Sequence, residues 1–262
     1  MASDLLLKNK EKNLLQPYFV YAPPNFGEPN FPYRQPKAPY AQAKDWMCSV
    51  YYYWWMYLRR NEDYRRTSEQ GGAGPCAQLY RDFGNIYEGN FQSWWSEHWQ
   101  LFSEPVAIVE GNDAFTGFER SITLKIDLDA KRSRLLDEVR GLLTALQADN
   151  DQDRVISDAR YPVETNPLLT GLHQHLVVWD MKQLNPLASD ADLADLSDVR
   201  VNHVVNGSTA EQARVRFDDR EVAMITSEVK RRKTQAVQRH IRIAEQYIEH
   251  AGAGRFPLRL VR

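Results

Sequence analysis

AKDWMCSVYYYWWMYLRRNEDYRRTSE, residues 43–69, decides the fold class. Trp46, Val50, Tyr53, Trp54 and Tyr57 recur at helical spacing and form one apolar stripe. Tyr51, Trp55 and Leu58 widen the stripe, so the segment reads as one long helix buried on more than one side. Six of the seven tryptophans lie between residues 46 and 99, so the core receiving this helix is aromatic and local.

Outward from it, Gly71, Gly72, Gly74 and Pro75 break the chain, and 77–84 and 90–104 read as two further helices. In the second, Phe91, Trp94, Trp95, His98, Trp99 and Phe102 keep the helical period. The character then changes over 105–110 and 120–129. In SITLKIDLD (121–129), Ile122, Leu124, Ile126 and Leu128 alternate with polar residues, the mark of a half-buried strand. A leucine-rich helix is expected at 131–147, followed by the acidic break ADNDQD at 148–153. Upstream, residues 1–16 read as a short amphipathic helix. Seven prolines between Pro17 and Pro39 forbid helix there, and interleaved Tyr18, Phe19, Tyr21, Phe26, Phe31, Tyr33 and Tyr40 suit an extended arm. Such an arm lies over a hydrophobic surface, the chain's own or a partner's.

The C-terminal part contains a helix over 166–184, a second helix starting at Ser189, an ambiguous stretch over 197–217 and a last long helix from Asp219 to His250, stopped by Gly252 and Gly254. The expected fold is mainly α, of the α+β class. Its regions are an N-terminal helix and Pro/aromatic arm (1–40), an aromatic helical region with a small strand element (41–150), and a helical, basic-tailed region (151–262).

Composition narrows the function classes. Hydrophobic residues make up 43% and charged residues 26% of 262 positions, which argues against whole-chain disorder. No apolar run approaches the roughly 18 residues of a membrane helix. Leu5 to Leu7 is too short for a signal-peptide core. Cys48 and Cys76 are too few for a disulfide framework or a cysteine-built zinc site. These features point to the cytoplasm, with no membrane partner.

Enzyme chemistry is not evident, and no cofactor or metal is expected. The phosphate-binding GxxxxGK[ST] and GxGxxG, the GxSxG elbow and HExxH are all absent. His173 and His175 are two apart in a helical pattern, where they do not share a face, so they read as ordinary helix residues rather than metal ligands. Asp149, Asp151 and Asp153 begin like a calcium loop, but Arg154 and Arg160 stand where the loop needs Gly and Glu. Asp127 and Asp129 at a strand end, with Glu110 and Glu119 near in sequence, supply one enzyme alternative, a metal-dependent nuclease.

The positive signal is charge asymmetry. From Thr226 to Arg262 nine bases face three acids, a net +6; the whole chain carries −2, so the remainder carries −8. A basic end on an acidic body suggests a polyanion partner. Within KRRKTQAVQRHIRIAEQYIEHAG (230–252), Val237, Ile241, Ala244, Tyr247 and Ile248 form a stripe that can bury. Lys230, Arg231, Arg232 and Lys233 are then candidate phosphate contacts, and Gln235, Gln238, Arg239 and Arg242 candidate base readers. A solvated amphipathic helix has the same pattern.

LHQHLVVWDMKQLNPLASDADLADL (172–196) has the outline of a helix, a break and a second helix. With KTQAVQRHIRIAEQYIEHAGAGRFP (233–257) as a closing helix, it resembles the sigma-like helix-turn-helix domains of phage and conjugative-element proteins. About thirty residues separate Leu196 from Lys230, where a compact helix-turn-helix has a short turn, and Asp192-Leu193 replaces the usual Glu-Ile pair. WWMYLRRNEDYRR (54–66) resembles a W-x-x-L-R-R-N-x-x-Y box of regulator-like proteins from mobile elements, and YRDFGNIYEGNFQSWWSEHWQLFSEP (80–105) resembles an uncharacterised phage-type segment. Arg59, Arg60, Arg65 and Arg66 in that box either meet phosphate or a partner's carboxylates, or cap and solubilise an aromatic helix.

The resemblance implies a DNA-binding, regulatory protein of a mobile element. The alternative is a structural or interaction component of a phage-type assembly, forming a homo-oligomer or binding a protein partner through the Pro/aromatic arm.

Overall fold

Two polar side chains cut the aromatic segment into pieces. The computed structural model describes residues 17–27, 33–105, 122–147, 157–216 and 218–257. In it, a 3-10 turn at Asp45–Met47 precedes helices α1 (Val50–Leu58) and α2 (Glu62–Glu69). The Ser49 hydroxyl accepts the Tyr51 N–H at 3.4 Å, and the Asn61 side-chain oxygen accepts the Tyr64 N–H at 2.8 Å. Each takes over an orphan donor of a helix start, so the single helix expected over 43–69 becomes a turn and two helices. The apolar period runs through the break; the backbone at Asn61, with ψ 118°, does not.

The chain groups into two compact units, Phe19–Ser103 with Ala159–Arg262, and Met1–Tyr18 with Glu104–Asp158. Residues on both sides of the intervening segment thus share the core of the larger unit. Helix α1 is apolar on every side and sits at the centre of that core, with Trp54, Tyr57 and Leu58 wholly buried. Around it lie α2, α3 (Ala77–Phe83) and α4 (Phe91–His98), which a second 3-10 turn at Trp99–Leu101 extends. From the C-terminal part come α6 (Leu169–Leu184) and the last turns of α9 (Asp219–Gly252). Many rings meet edge-on, as in Trp54 with Phe102 (5.1 Å) and Phe83 with Tyr161 (4.7 Å), and others stack, as Trp95 does on Phe102 (5.6 Å).

The described part of the arm lies on the chain's own core. Phe19 is buried against Tyr51, Trp95 and Trp99, and Ser49 Oγ donates to the Ala22 carbonyl at 3.0 Å. Two smaller clusters continue along α9. Val178 of α6, Leu193 and Ala194 of α7 (Asp190–Leu196) and Val237 of α9 form one. Ala213 of α8 (Ala210–Val215), Val205 and Ile225 of α9 form the other. Helix α9 has 34 residues, hence a length of about 51 Å at 1.5 Å per residue, and it contributes to all three clusters.

The smaller unit holds α5 (Arg132–Gln147), and none of its described residues is buried. The strand expected over 121–129 does not form among the described residues. Residues 122–127 lie in no sheet, and Ile122, Leu124 and Ile126 are exposed. Alternation makes a strand only where a neighbouring strand completes the ladder. The β pairings among the described residues are two isolated bridges, Val163 with Phe256 and Val205 with Ser208. The fold is therefore mainly helical. No helix among the described residues is long and apolar enough to cross a membrane. The helix expected over 1–16, residues 106–121 and the acidic break at 148–153 lie outside the described residues.

Candidate nucleic-acid interface

The last helix carries every candidate contact, and its packing decides which of them remain available. At 100° per residue, Val237, Ala244 and Ile248 point one way, while Arg231, Gln235, Gln238, Arg239 and Arg242 fall on the opposite half. The first group is buried and the second exposed.

Acids occupy four of the eight candidates. Arg231 is bidentate to Glu228, with both contacts 2.7 Å. Arg232 reaches the same carboxylate at 3.0 Å and donates to the Asn202 and Val204 carbonyls, pinning the loop that precedes α8. Hydrogen bonds from Arg231 and Arg232 hold the Glu228 carboxyl down at about 2. Lys233 pairs with Asp195 of α7, and Gln238 donates to Asp190 of the same helix at 2.9 Å. Helix α7 thus lies along α9 with Asp190 and Asp195 toward it.

Lys230, Gln235, Arg239 and Arg242 are left. All four are exposed, and among the described residues no carboxylate pairs with the three cations. Gln235, Arg239 and Arg242 follow at four and three residues, so they are surface neighbours. Glu245 and Glu249 mark the end of the basic face.

The arginines of the LRRN box face inward or pair locally. Arg60 is bidentate to Asp180 of α6, at 2.8 and 2.5 Å, and also donates to the Met56 carbonyl. Arg59 lies 4.5 Å from the centre of the Trp55 ring. Arg65 and Arg66 pair with Glu62 and Asp63 one turn back. The box is a device for joining α1 to α6 and solubilising α2.

The histidines separate as their spacing requires. His173 stacks on Tyr40, with ring centres 4.4 Å apart, whereas His175 turns to α9 and meets His240, Nδ1 to Nδ1, at 2.7 Å. Burial, then His240, then Arg239 push the His175 imidazole down to about 4. Burial and then Arg239 also lower His240. Among the described residues, no three His, Cys, Asp or Glu side chains converge as a metal site. Asp127 and Asp129 sit at a turn ahead of α5, where Asp127 Oδ1 accepts the Asp129 N–H at 3.0 Å. Glu110 and Glu119, the other carboxylates of the nuclease alternative, lie outside the described residues.

Sequence reading did not single out the His175–His240 contact, since a pairing across 65 positions has no local signature. It also passed over a cavity of about 690 Å³ that Arg34 and Lys37 share with Tyr21 and the uncapped start of α6. The run of prolines and rings pointed to extended chain there, without showing what it encloses.

The chain matches no family model, no curated protein and no solved structure.

Proposed function

We propose that this is a DNA-binding protein, regulatory in role and of the mobile-element kind its sequence resembles, and that the exposed face of α9 meets the duplex. The observation that carries the reading is the group of cations without carboxylate partners among the described residues, Arg239 and Arg242 beside Gln235, with Lys230 upstream, on a helix fixed by three hydrophobic clusters. An arginine fork with a nearby amide suits phosphate and base-edge contacts in a groove wide enough for a helix.

In this reading α6, the turn at 185–189 and α7 are the supporting pair of a helix-turn-helix-like arrangement, and α9 is the recognition helix. Asp190, Asp192 and Asp195 make α7 unsuitable for phosphate. Its task is to hold α9 through Lys233 and Gln238. The loop and α8 interposed before α9 are stabilised by Arg232. Contact with DNA then rests on Lys230, Gln235, Arg239 and Arg242, and the role belongs in the cytoplasm.

The test is fluorescence anisotropy with a labelled duplex across a salt series. Three phosphate contacts give a log–log slope of about −3, at about −0.9 per contact. Arg239→Ala/Arg242→Ala should remove about two contacts' worth of that slope. A wild-type chain that leaves the duplex free at low salt sinks the reading.

A further inference from the structure

Asn206 precedes Gly207 at the tip of a tight turn, the one place in the sequence where glycine follows asparagine. Both residues have positive φ, 50° and 79°, and the flanking Val205 and Ser208 exchange two backbone hydrogen bonds, at 2.8 and 3.0 Å. Asn-Gly is the preferred pair for a hairpin turn of that kind. The flanks are buried and the tip is not: Val205 and Ser208 are 7 and 3% exposed, whereas Asn206 and Gly207 face solvent. Val205 packs in the cluster with Ala213 and Ile225, and Thr209 caps α8 directly after the turn. Arg232 holds the Asn202 and Val204 carbonyls just before it. The turn is thus a clasp that fastens the loop between α7 and α8 to the first half of α9.

The tip itself is chemically unguarded. Among the described residues, neither the Asn206 side-chain amide nor the Gly207 N–H has a hydrogen-bond partner. A Cβ built at Gly207 would meet no atom within 4 Å, and glycine has no side chain to hinder its own nitrogen. Asn202, in the same loop, is differently placed. His203 follows it, and its Oδ1 accepts the Val204 N–H at 2.9 Å.

An asparagine Cγ and the next backbone nitrogen are the two ends of a small ring. Once hydroxide has taken its proton, the Gly207 nitrogen bonds to Asn206 Cγ, the Cγ–Nδ2 bond breaks and ammonia leaves, which gives a cyclic imide. Water then opens the imide at either carbonyl. Opening on the main-chain side leaves isoaspartate, whose main chain runs through Cβ and is longer by that atom; opening on the other leaves aspartate. In sum, an amide and water become a carboxylate and ammonia, with nothing oxidised or reduced.

We infer that Asn206 is a site of spontaneous modification, closing onto the Gly207 nitrogen and converting to aspartate and isoaspartate, and that isoaspartate unfastens the clasp. A tight turn keeps both Val205–Ser208 bonds only at its own length, so the longer main chain releases them. The inference stands apart from the basic face of α9.

The test incubates the full chain at neutral and mildly alkaline pH. Peptide mass spectrometry and methyl labelling by a protein isoaspartyl methyltransferase follow the segment that carries Asn206. Product should appear there at a rate that rises with hydroxide concentration, while Asn202 stays intact. Asn206→Gln, whose longer side chain needs a larger ring, should abolish the label. The modified fraction, separated by ion exchange on its added negative charge, should have a lower urea midpoint than the unmodified chain. Asn206→Asp, which keeps the main-chain length, should lie closer to the unmodified chain. The chain unfolded in urea gives the rate of the free segment. An Asn206 that stays intact in the folded chain while the unfolded chain reacts overturns the modification site. A modified fraction whose urea midpoint matches that of the unmodified chain overturns the clasp.

Discussion

Asn61 joins the two ends of the larger unit: the side chain that caps α2 also donates, through Nδ2, to the Ile248 carbonyl of α9 at 3.0 Å. Gly252 makes room for it, because a Cβ there would run into the Asn61 amide. Asn61→Ala should therefore cost about 1–3 kcal/mol in urea denaturation, from the lost cap and the lost inter-helix bond. Asn61→Asp keeps the cap but sets an anion against a carbonyl, so it should recover only part of the loss.

Gly252→Ala should cost about 1–3 kcal/mol by overpacking. The same change in an Asn61→Ala background should cost much less, since the clashing atom is gone. A double-mutant cycle reads the difference, and strict additivity would refute the contact.

Burial of His175 where it meets His240 makes stability depend on pH. The ordinary imidazole value is 6.5, and in the fold His175 is held at about 4, chiefly by burial. Between those values the unfolded chain takes up a proton that the folded chain refuses. Stability is complete above about pH 6.5, falls as pH drops toward 4, and changes no further below that on this account. The loss is on the order of 2–3 kcal/mol. His175→Gln should flatten the urea midpoint between pH 7 and 4.5 relative to wild type, and an unchanged slope would remove His175 as its source.

Cations of the same helix should differ in their effect on DNA. Arg231 is held by Glu228 and Arg239 by no described carboxylate, so Arg239→Ala should reduce the salt slope by about one contact and Arg231→Ala by much less. Asp195→Asn weakens the hold on Lys233 and should steepen the slope. Equal effects from Arg231 and Arg239 would mean that the pairing with Glu228 does not persist in solution.

Much of the helical framework was legible in periodicity: α3, α4, α5, α6 and α9 fall where apolar residues repeat at helical spacing, and Ser189 caps α7 where a start was expected. What periodicity misses is chain direction, so it ran through the caps at Ser49 and Asn61. Helix α8 was hidden in an ambiguous stretch, although Thr209 and Gln212 form a reciprocal capping box that announces it. Alternation at 122–128 promised a strand, but pairing is a property of two segments. Which of the eight candidate contacts on α9 stay unpaired was not legible either. Whether Lys233 or Gln238 is free depends on Asp195 and Asp190, 38 and 48 positions away.

The course of α9 through all three clusters also governs how the protein is made. Ile225 closes one cluster, Val237 the next, and Tyr247, Ile248 and Phe256 the aromatic one. A ribosome that has synthesised every tryptophan still holds an aromatic core open on the side that α9 covers. The larger unit consequently cannot complete its clusters until α9 has been made, so its core closes only with the C-terminal part of the chain.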